Sequence, residues 1–155
     1  MKIAFIFTAF NIVALLSCQK NTYVHQFDKD ELQISISTAG GWCSGSDSMT
    51  ISKNKSVYVY RTTCKSDAKI INSTTSISDW NELTNLLDSD RFKSVNLNSC
   101  GICYDGIDET VSIKSGAFYH SIRYDNLNDA KLNVIRPFID QLRIIRDNYN
   151  AQFQQ

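Results

Sequence analysis

Cysteine is the residue type in this sequence with the greatest capacity for chemistry. The chain of 155 residues contains five cysteines: Cys18, Cys43, Cys64, Cys100 and Cys103. Two residues separate Cys100 from Cys103, a spacing found in thiol redox motifs and in zinc ligand pairs. Zinc would need a second close pair, and a thioredoxin-type motif precedes a helix, whereas here a strand is predicted to follow. Disulfide bonds are therefore the favoured interpretation, with zinc and redox chemistry as alternatives.

The first 17 residues have the features of a secretory signal peptide. Lys2 precedes an apolar run from Ile3 to Leu16, and polar residues follow at once. The run is shorter than the roughly 20 apolar residues that a membrane-spanning helix needs. We expect this segment to be cleaved, which leaves 138 of the 155 residues.

The sequence Leu15-Leu16-Ser17-Cys18 resembles the lipobox of bacterial lipoproteins. In that family the cysteine thiol receives a diacylglyceryl group, the signal is cut before the cysteine, and the new amino terminus is usually acylated. The resemblance implies that Cys18 is the lipid attachment site and that acyl chains hold the protein in a lipid bilayer. Residue 19 is Gln rather than Asp, which favours the outer membrane over the inner membrane of the cell envelope.

The remaining cysteines are predicted to form two disulfides, because the envelope is an oxidising compartment. Four cysteines allow three pairings. If a hairpin turns at Asn54-Lys55, Cys43 and Cys64 face each other at its open end. This geometry favours Cys43–Cys64 with Cys100–Cys103, and the two crossed pairings remain open.

Composition predicts one globular domain that does not bind nucleic acid. The chain is 43% hydrophobic, and its 16 basic residues balance 16 acidic ones, with no local basic cluster. Such a surface lacks the positive field that phosphate backbones require. The predicted organisation is a signal peptide over 1–17, a lipidated terminus and tether over 18–30, a single domain over 31–150 and a disordered tail over 151–155.

Hydrophobic periodicity predicts an α+β fold. Strands are expected near 32–37, 49–52, 57–62, 69–75, 110–114 and 117–124, with a loop over 38–48. Tight hairpins join these strands, so an antiparallel sheet of five to seven strands is expected, with two amphipathic helices packed mainly on one face.

The first predicted helix runs from Ile77 to about Asp88. Ser78 is its expected cap. Its apolar face is expected to consist of Trp80, Leu83, Leu86 and Leu87.

The last predicted helix runs from about Asp129 to Tyr149, with Asn128 as its cap. Its apolar stripe keeps one phase across Pro137, which predicts a kink, and a break with Pro137 in the first turn of a second helix is the alternative. The stripe consists of Leu132, Ile135, Ile139, Leu142 and Ile145.

Three segments of the domain resemble small bacterial envelope lipoproteins of unknown function. They are Gly40-Gly41-Trp42-Cys43, the helix from Ile77 to Leu87, and Cys100-Gly101-Ile102-Cys103-Tyr104-Asp105-Gly106. That family has no known activity, so the resemblance implies none for this chain.

Residues suited to catalysis or cofactor binding are few. Of two histidines, only His120 lies in the predicted domain, so a catalytic triad would depend on it alone. The acids at 105, 108 and 109 do not have EF-hand spacing. No catalytic residue, metal site or cofactor is therefore predicted. Asp47-Ser48-Met49 resembles a short bacterial acceptor motif, which makes Ser48 a possible O-glycosylation site.

Trp42, Tyr104 and Asp105 are the candidate binding residues, because they lie in the two cysteine-bearing loops. Aromatic side chains on loops held by disulfides lose little entropy on binding. The sequence therefore favours a non-catalytic module that binds an envelope protein or glycan. The alternatives are an inhibitor or immunity protein against an envelope hydrolase, and a small enzyme or thiol redox protein. The oligomeric state is not predicted.

The lipobox prediction is tested by the variant Cys18→Ala. Because the acyl chains attach to this residue, we expect the variant to lose labelling by an alkyne analogue of palmitate. Continued labelling of Cys18→Ala would contradict the assignment.

Overall fold

The computed structural model describes residues 27–41, 44–62 and 67–153. The predicted signal peptide and Cys18 lie outside these residues. Within the described part of the chain, no helix is both long and apolar enough to cross a membrane.

In the described residues, six strands form one antiparallel sheet, and three α-helices and two short 3-10 helices accompany it. The strands are β1 (Gln33–Gly40), β2 (Ser46–Ser52), β3 (Ser56–Arg61), β4 (Ala68–Ser73), β5 (Ile107–Ser115) and β6 (Phe118–Tyr124). The α-helices are α1 (Ile77–Leu86), α2 (Ser89–Ser94) and α3 (Arg136–Ala151), and the 3-10 helices are Ile102–Tyr104 and Ala130–Ile135. The strand order is β4-β3-β2-β1-β5-β6. These elements confirm the predicted α+β class.

The sheet has one apolar face, which we call the inner face, and the helices cover it. Ile34 and Ile36 of β1 are fully buried there, whereas Ser35 and Ser37, which alternate with them, are only partly buried. Two helices pack against the sheet, and their apolar side chains join the same core. Burying such a side chain contributes about 1.5–3 kcal/mol, so this layer is the main source of stability. Helix residues in this core include Trp80, Leu83, Phe138, Ile139, Leu142 and Ile145.

The start of α1 differs from the sequence prediction. Ser76, not Ser78, caps the helix, and its Oγ accepts a hydrogen bond from the backbone N–H of Asp79 at 3.4 Å. The predicted apolar face is wrong at Leu86, which is 38% exposed. The helix α2 was not predicted, because its six residues are too few to show a hydrophobic period.

Pro137 marks the beginning of a helix. The chain forms a 3-10 helix over Ala130–Ile135, capped by Asp129, and α3 then begins at Arg136 with Pro137 in its first turn. Proline is tolerated there because the first amide groups of a helix have no partner within the helix. The predicted kink and the Asn128 cap are therefore wrong, and the alternative of a break is correct. The predicted apolar stripe is buried throughout.

Both ends of the domain extend further than predicted. The Phe27 ring packs against Phe118 with centroids 5.0 Å apart, so residues 27–30 belong to the domain rather than to a tether. At the other end, α3 continues to Ala151, and the Phe153 ring lies 5.9 Å from that of Tyr60. The prediction of disorder is therefore wrong for residues 151–153.

Candidate functional site

The two cysteine-bearing loops lie at the same end of the sheet, which we call the loop end. β1 ends there at Gly40, and β2 and β5 begin there at Ser46 and Ile107. The predicted loop over 38–48 is shorter than expected, because β1 and β2 pair as far as Ala39 and Ser46. The connection between them therefore spans only residues 41–45.

The second loop is closed by the predicted disulfide between Cys100 and Cys103, whose Cα atoms are 5.4 Å apart. Asp105 adopts the left-handed conformation with φ 60°, and the Gly106 N–H donates to the Gly101 carbonyl at 2.8 Å. The loop is thus a compact closed turn. The other predicted disulfide, between Cys43 and Cys64, falls outside the described residues.

This loop presents an aromatic ring to solvent. Tyr104 is 89% exposed, and Ile107, at the start of β5, is 58% exposed. Asp105 between them is also exposed. The third candidate binding residue, Trp42, is not among the described residues.

Direct backbone contact joins the two loops. The Gly41 N–H donates to the Gly106 carbonyl at 3.1 Å, and a Cβ atom at Gly41 would lie 3.1 Å from the Asp105 Cα. This approach is tighter than most Cβ contacts, which explains why glycine occupies position 41. The Ser44 N–H then donates to the Gly41 carbonyl at 3.0 Å, which holds Ser44 beside the point of contact between the two loops.

Three acids near this loop do not form a common site. Asp108 is 2% exposed and accepts a hydrogen bond from the Gly101 N–H at 2.6 Å. Neighbouring residues of a strand point to opposite faces, so Glu109 lies on the inner face, away from Asp108. Asp105 is exposed in the loop. Across the described ranges, no three metal-ligating side chains cluster.

A row of polar residues crosses the inner face at the loop end. Strand pairing places Tyr60 beside Asp47, Asp47 beside Thr38, Thr38 beside Glu109, and Glu109 beside Tyr124. The adjacent row is almost entirely apolar and consists of Tyr58, Met49, Ile36, Val111 and Ile122. Local sequence patterns do not predict this row, because it depends on the pairing of β1 with the distant β5.

Arg146 of α3 contacts the middle of this polar row, and its side chain is buried, with 7% of the residue exposed. Its Nη1 donates to Glu109 Oε2 at 2.6 Å and to Thr38 Oγ1 at 2.8 Å. Its Nε lies 3.7 Å from Asp47 Oδ2, and Nε and Nη2 both donate to Asp147 Oδ1. Burial alone lowers the pKa of Arg146, but the hydrogen bond and charge of Glu109, with Asp47, hold that pKa above its ordinary value. The guanidinium therefore remains charged inside the fold.

Two tyrosine hydroxyls complete the hydrogen bonding of the carboxylates. Tyr124 donates to Glu109 Oε1, and Tyr58 donates to Asp47 Oδ2 at 3.0 Å. Burial, followed by the neighbouring carboxylate, raises the pKa of both tyrosines well above the ordinary value. Both phenols therefore act as neutral donors.

Two cavities flank Arg146, and Thr38 lines both of them. The first, which we call the Asp47 cavity, has a volume of about 370 Å³. Its other lining residues are Ser44, Gly45, Ser46, Asp47, Tyr60, Asp147 and Asn150. The second, which we call the Glu109 cavity, has a volume of about 300 Å³ and includes Ile107, Glu109, Tyr124, Asp125, Leu127 and Arg143.

The remaining predicted residues lie elsewhere. His120 is half-buried, its Nε2 lies 2.9 Å from the Val95 carbonyl, and its ring meets the edge of Phe92. These contacts serve packing, and His120 lines neither cavity flanking Arg146. Ser48 lies within β2, on the face opposite the core, and its glycosylation stays a prediction.

No protein-family model matches this sequence, and no curated protein matches it.

Because the phenol of Tyr124 is buried and its pKa is raised, we predict that the free energy of unfolding falls in alkali. Above pH 10 or so, the unfolded chain releases this proton while the native state retains it, so stability falls as pH rises. The variant Tyr124→Phe removes a donor to Glu109 and should lower the free energy of unfolding by about 1–3 kcal/mol at pH 8. Urea unfolding from pH 8 to 11 should show this deficit shrinking as pH increases.

The matched control is Tyr119→Phe, at a tyrosine that is 65% exposed. This control should leave stability unchanged at pH 8. A deficit for Tyr124→Phe that stays constant up to pH 11 would show that the phenol does not ionise differently in the two states.

Proposed function

We propose that this protein is a lipid-anchored envelope protein that binds a partner through the loop end and performs no catalysis. The observation that carries the proposal is the exposure of Tyr104 on a turn closed by the Cys100–Cys103 disulfide and braced by Gly41. An exposed aromatic ring on a fixed backbone contributes contact area on binding at a small cost in conformational entropy.

The apolar neighbourhood of Tyr104 supports a binding role. Ile107 is also strongly exposed and follows the same loop, so two large apolar side chains are exposed at this end of the sheet. Such surface on rigid loops is typical of recognition sites. His120, the residue on which a catalytic triad would depend, is engaged in packing, which also favours binding.

The position of Phe27 supports a loop end that is remote from the lipid attachment site. Phe27 packs beside Phe118, next to the beginning of β1, which is opposite the loop end. At about 3.3 Å per residue, the eight residues of β1 separate these two ends by roughly 25 Å. A chain anchored by a lipid on Cys18 would thus enter the domain at Phe27, and the loop end is the end of the sheet farther from this entry point.

The partner is an envelope protein or glycan, and the outer membrane is the proposed location because Gln rather than Asp follows Cys18. A partner that meets the distal end of the domain does not need to approach the lipid surface. The balanced charge of the chain is consistent with this arrangement, because anchoring through lipid requires no electrostatic attraction to the membrane.

The proposal is tested by photocrosslinking in living cells. Benzoylphenylalanine replaces Tyr104 in one strain and Tyr119 in a matched strain, since both tyrosines are exposed but only Tyr104 lies at the loop end. We expect discrete crosslinked species from position 104 and none of the same mass from position 119.

The same species should disappear when unmodified wild-type protein is expressed in excess, because both compete for one partner. Equal adducts at both positions would contradict recognition through the loop end, as would their absence at position 104 in correctly localised protein.

A further inference from the structure

We propose that the Glu109 cavity binds a small zwitterion with an apolar body, which is the chemistry of an aliphatic α-amino acid. The carboxylate of the ligand binds Arg143 and its ammonium group binds Asp125, since both residues line this cavity. The inference goes beyond the proposed function, because the ligand is a small molecule and Tyr104 does not line the cavity.

Arg143 supplies accessible hydrogen-bond donors that have no protein partner. Its Nε is buried 3.4 Å from Glu109 Oε2 and is out of reach of a ligand. Its Nη1 and Nη2 make no hydrogen bond to any residue that the structure describes, and unlike Nε they are accessible to solvent. The outer edge of a guanidinium carries parallel N–H groups that match the two oxygens of a carboxylate. Arg143 is therefore suited to bind a carboxylate from the open side of the cavity.

Asp125 supplies the opposite charge. Its side chain is exposed, and within the described ranges its carboxylate has neither a hydrogen bond nor an ion pair. Although Asp125 and Arg143 line the same cavity, no ion pair joins them. Each of these two charged groups can therefore pair with a ligand that lies between them.

The balance of charge in the cavity favours a zwitterion over an ion of one sign. Two cations and two anions line it, namely Arg143, Arg146, Glu109 and Asp125. The Glu109 oxygens accept hydrogen bonds from Tyr124 and Arg146, so Glu109 and Arg146 compensate each other. A ligand with a single charge would pair with Arg143 or with Asp125 and be repelled by the other, because like charges at short range repel. A zwitterion pairs with both.

Apolar side chains form another part of the cavity wall. Ile107 is 58% exposed, and Leu127 is partly buried against the edge of the core. The Tyr124 ring lies in the same lining. The volume of about 300 Å³ is at the lower end of the range for small-molecule sites, which suits one amino acid with an aliphatic side chain.

The Asp47 cavity does not offer this pair of free charges. The charged residues in its lining are Asp47, Asp147 and Arg146. Arg146 is buried and is paired with both acids, since its Nε lies 3.7 Å from Asp47 Oδ2 and its Nη2 donates to Asp147. A ligand carboxylate would find no accessible cation there.

The test measures binding from amide NMR spectra of the nitrogen-labelled full chain in dodecyl maltoside micelles. The probes are L-leucine, isocaproate, which lacks the ammonium group, and isoamylamine, which lacks the carboxylate. We expect leucine to shift the amide signals of Ile107, Asp125 and Leu127. Its affinity should be about tenfold higher than that of either analogue, because each analogue forms only one of the two charged contacts.

Two variants should remove the two contacts separately. Arg143→Gln and Asp125→Asn should each lower the affinity for leucine by about tenfold. Arg143→Gln should then bind leucine and isoamylamine equally well, whereas Asp125→Asn should bind leucine and isocaproate equally well. Asp125→Asn keeps the test decisive if Arg143→Gln fails to fold, because the Asp125 carboxylate makes no hydrogen bond within the described ranges.

The matched controls are Arg61→Gln and Asp67→Asn, at exposed residues that line neither cavity flanking Arg146. Both should bind leucine as the wild type does. The inference is overturned if leucine shifts no amide of the cavity, or if it binds no more tightly than the two analogues. It is also overturned if Asp125→Asn keeps the affinity and selectivity of the wild type, or if the controls lose as much affinity as the cavity variants.

Discussion

The contact between Arg146 and the carboxylates of Glu109 and Asp47 is the constraint on which the loop end depends. Asp47 and Glu109 lie on either side of Thr38 and face the core. Burying these two carboxylates without a cation would cost several kcal/mol. The guanidinium of Arg146, on α3, is that cation, and it donates hydrogen bonds to Glu109 and Thr38. The contact therefore sets where the second half of α3 lies on the sheet.

The rest of the loop end follows from this arrangement. Along the inner face, one apolar row packs against the helices and the next row is polar, so the hydrophobic core ends at Asp47 and Glu109. Arg146 fills only the middle of the polar row, and a cavity lies on each side of it. The loops containing Gly41 and Tyr104 extend from the same strand ends. The contact between the two loops and the polar centre around Arg146 thus lie at the same end of the sheet.

Local patterns in the sequence predicted much of the fold. The alternation around Ile34 and Ile36, the two hairpins and the stripe of α3 each depend on residues close in the chain, and the structure confirms them. The Cys100–Cys103 disulfide is equally local. The pairing of β1 with β5 is different, because nothing near either strand specifies a partner more than 60 residues away. The polar row was missed for that reason, and Arg146 gave only the signal of an ordinary charged residue on an amphipathic helix.

A double-mutant cycle between Arg146→Met and Glu109→Gln, measured by urea unfolding, tests this account most directly. Removing the cation alone should cost about 3–5 kcal/mol, because it leaves buried carboxylates unpaired. The double variant should recover part of that loss, giving a coupling energy of about 1–3 kcal/mol between the two sites. Additivity within about 0.5 kcal/mol would contradict the account, since Arg146 and Glu109 would then contribute independently to the fold.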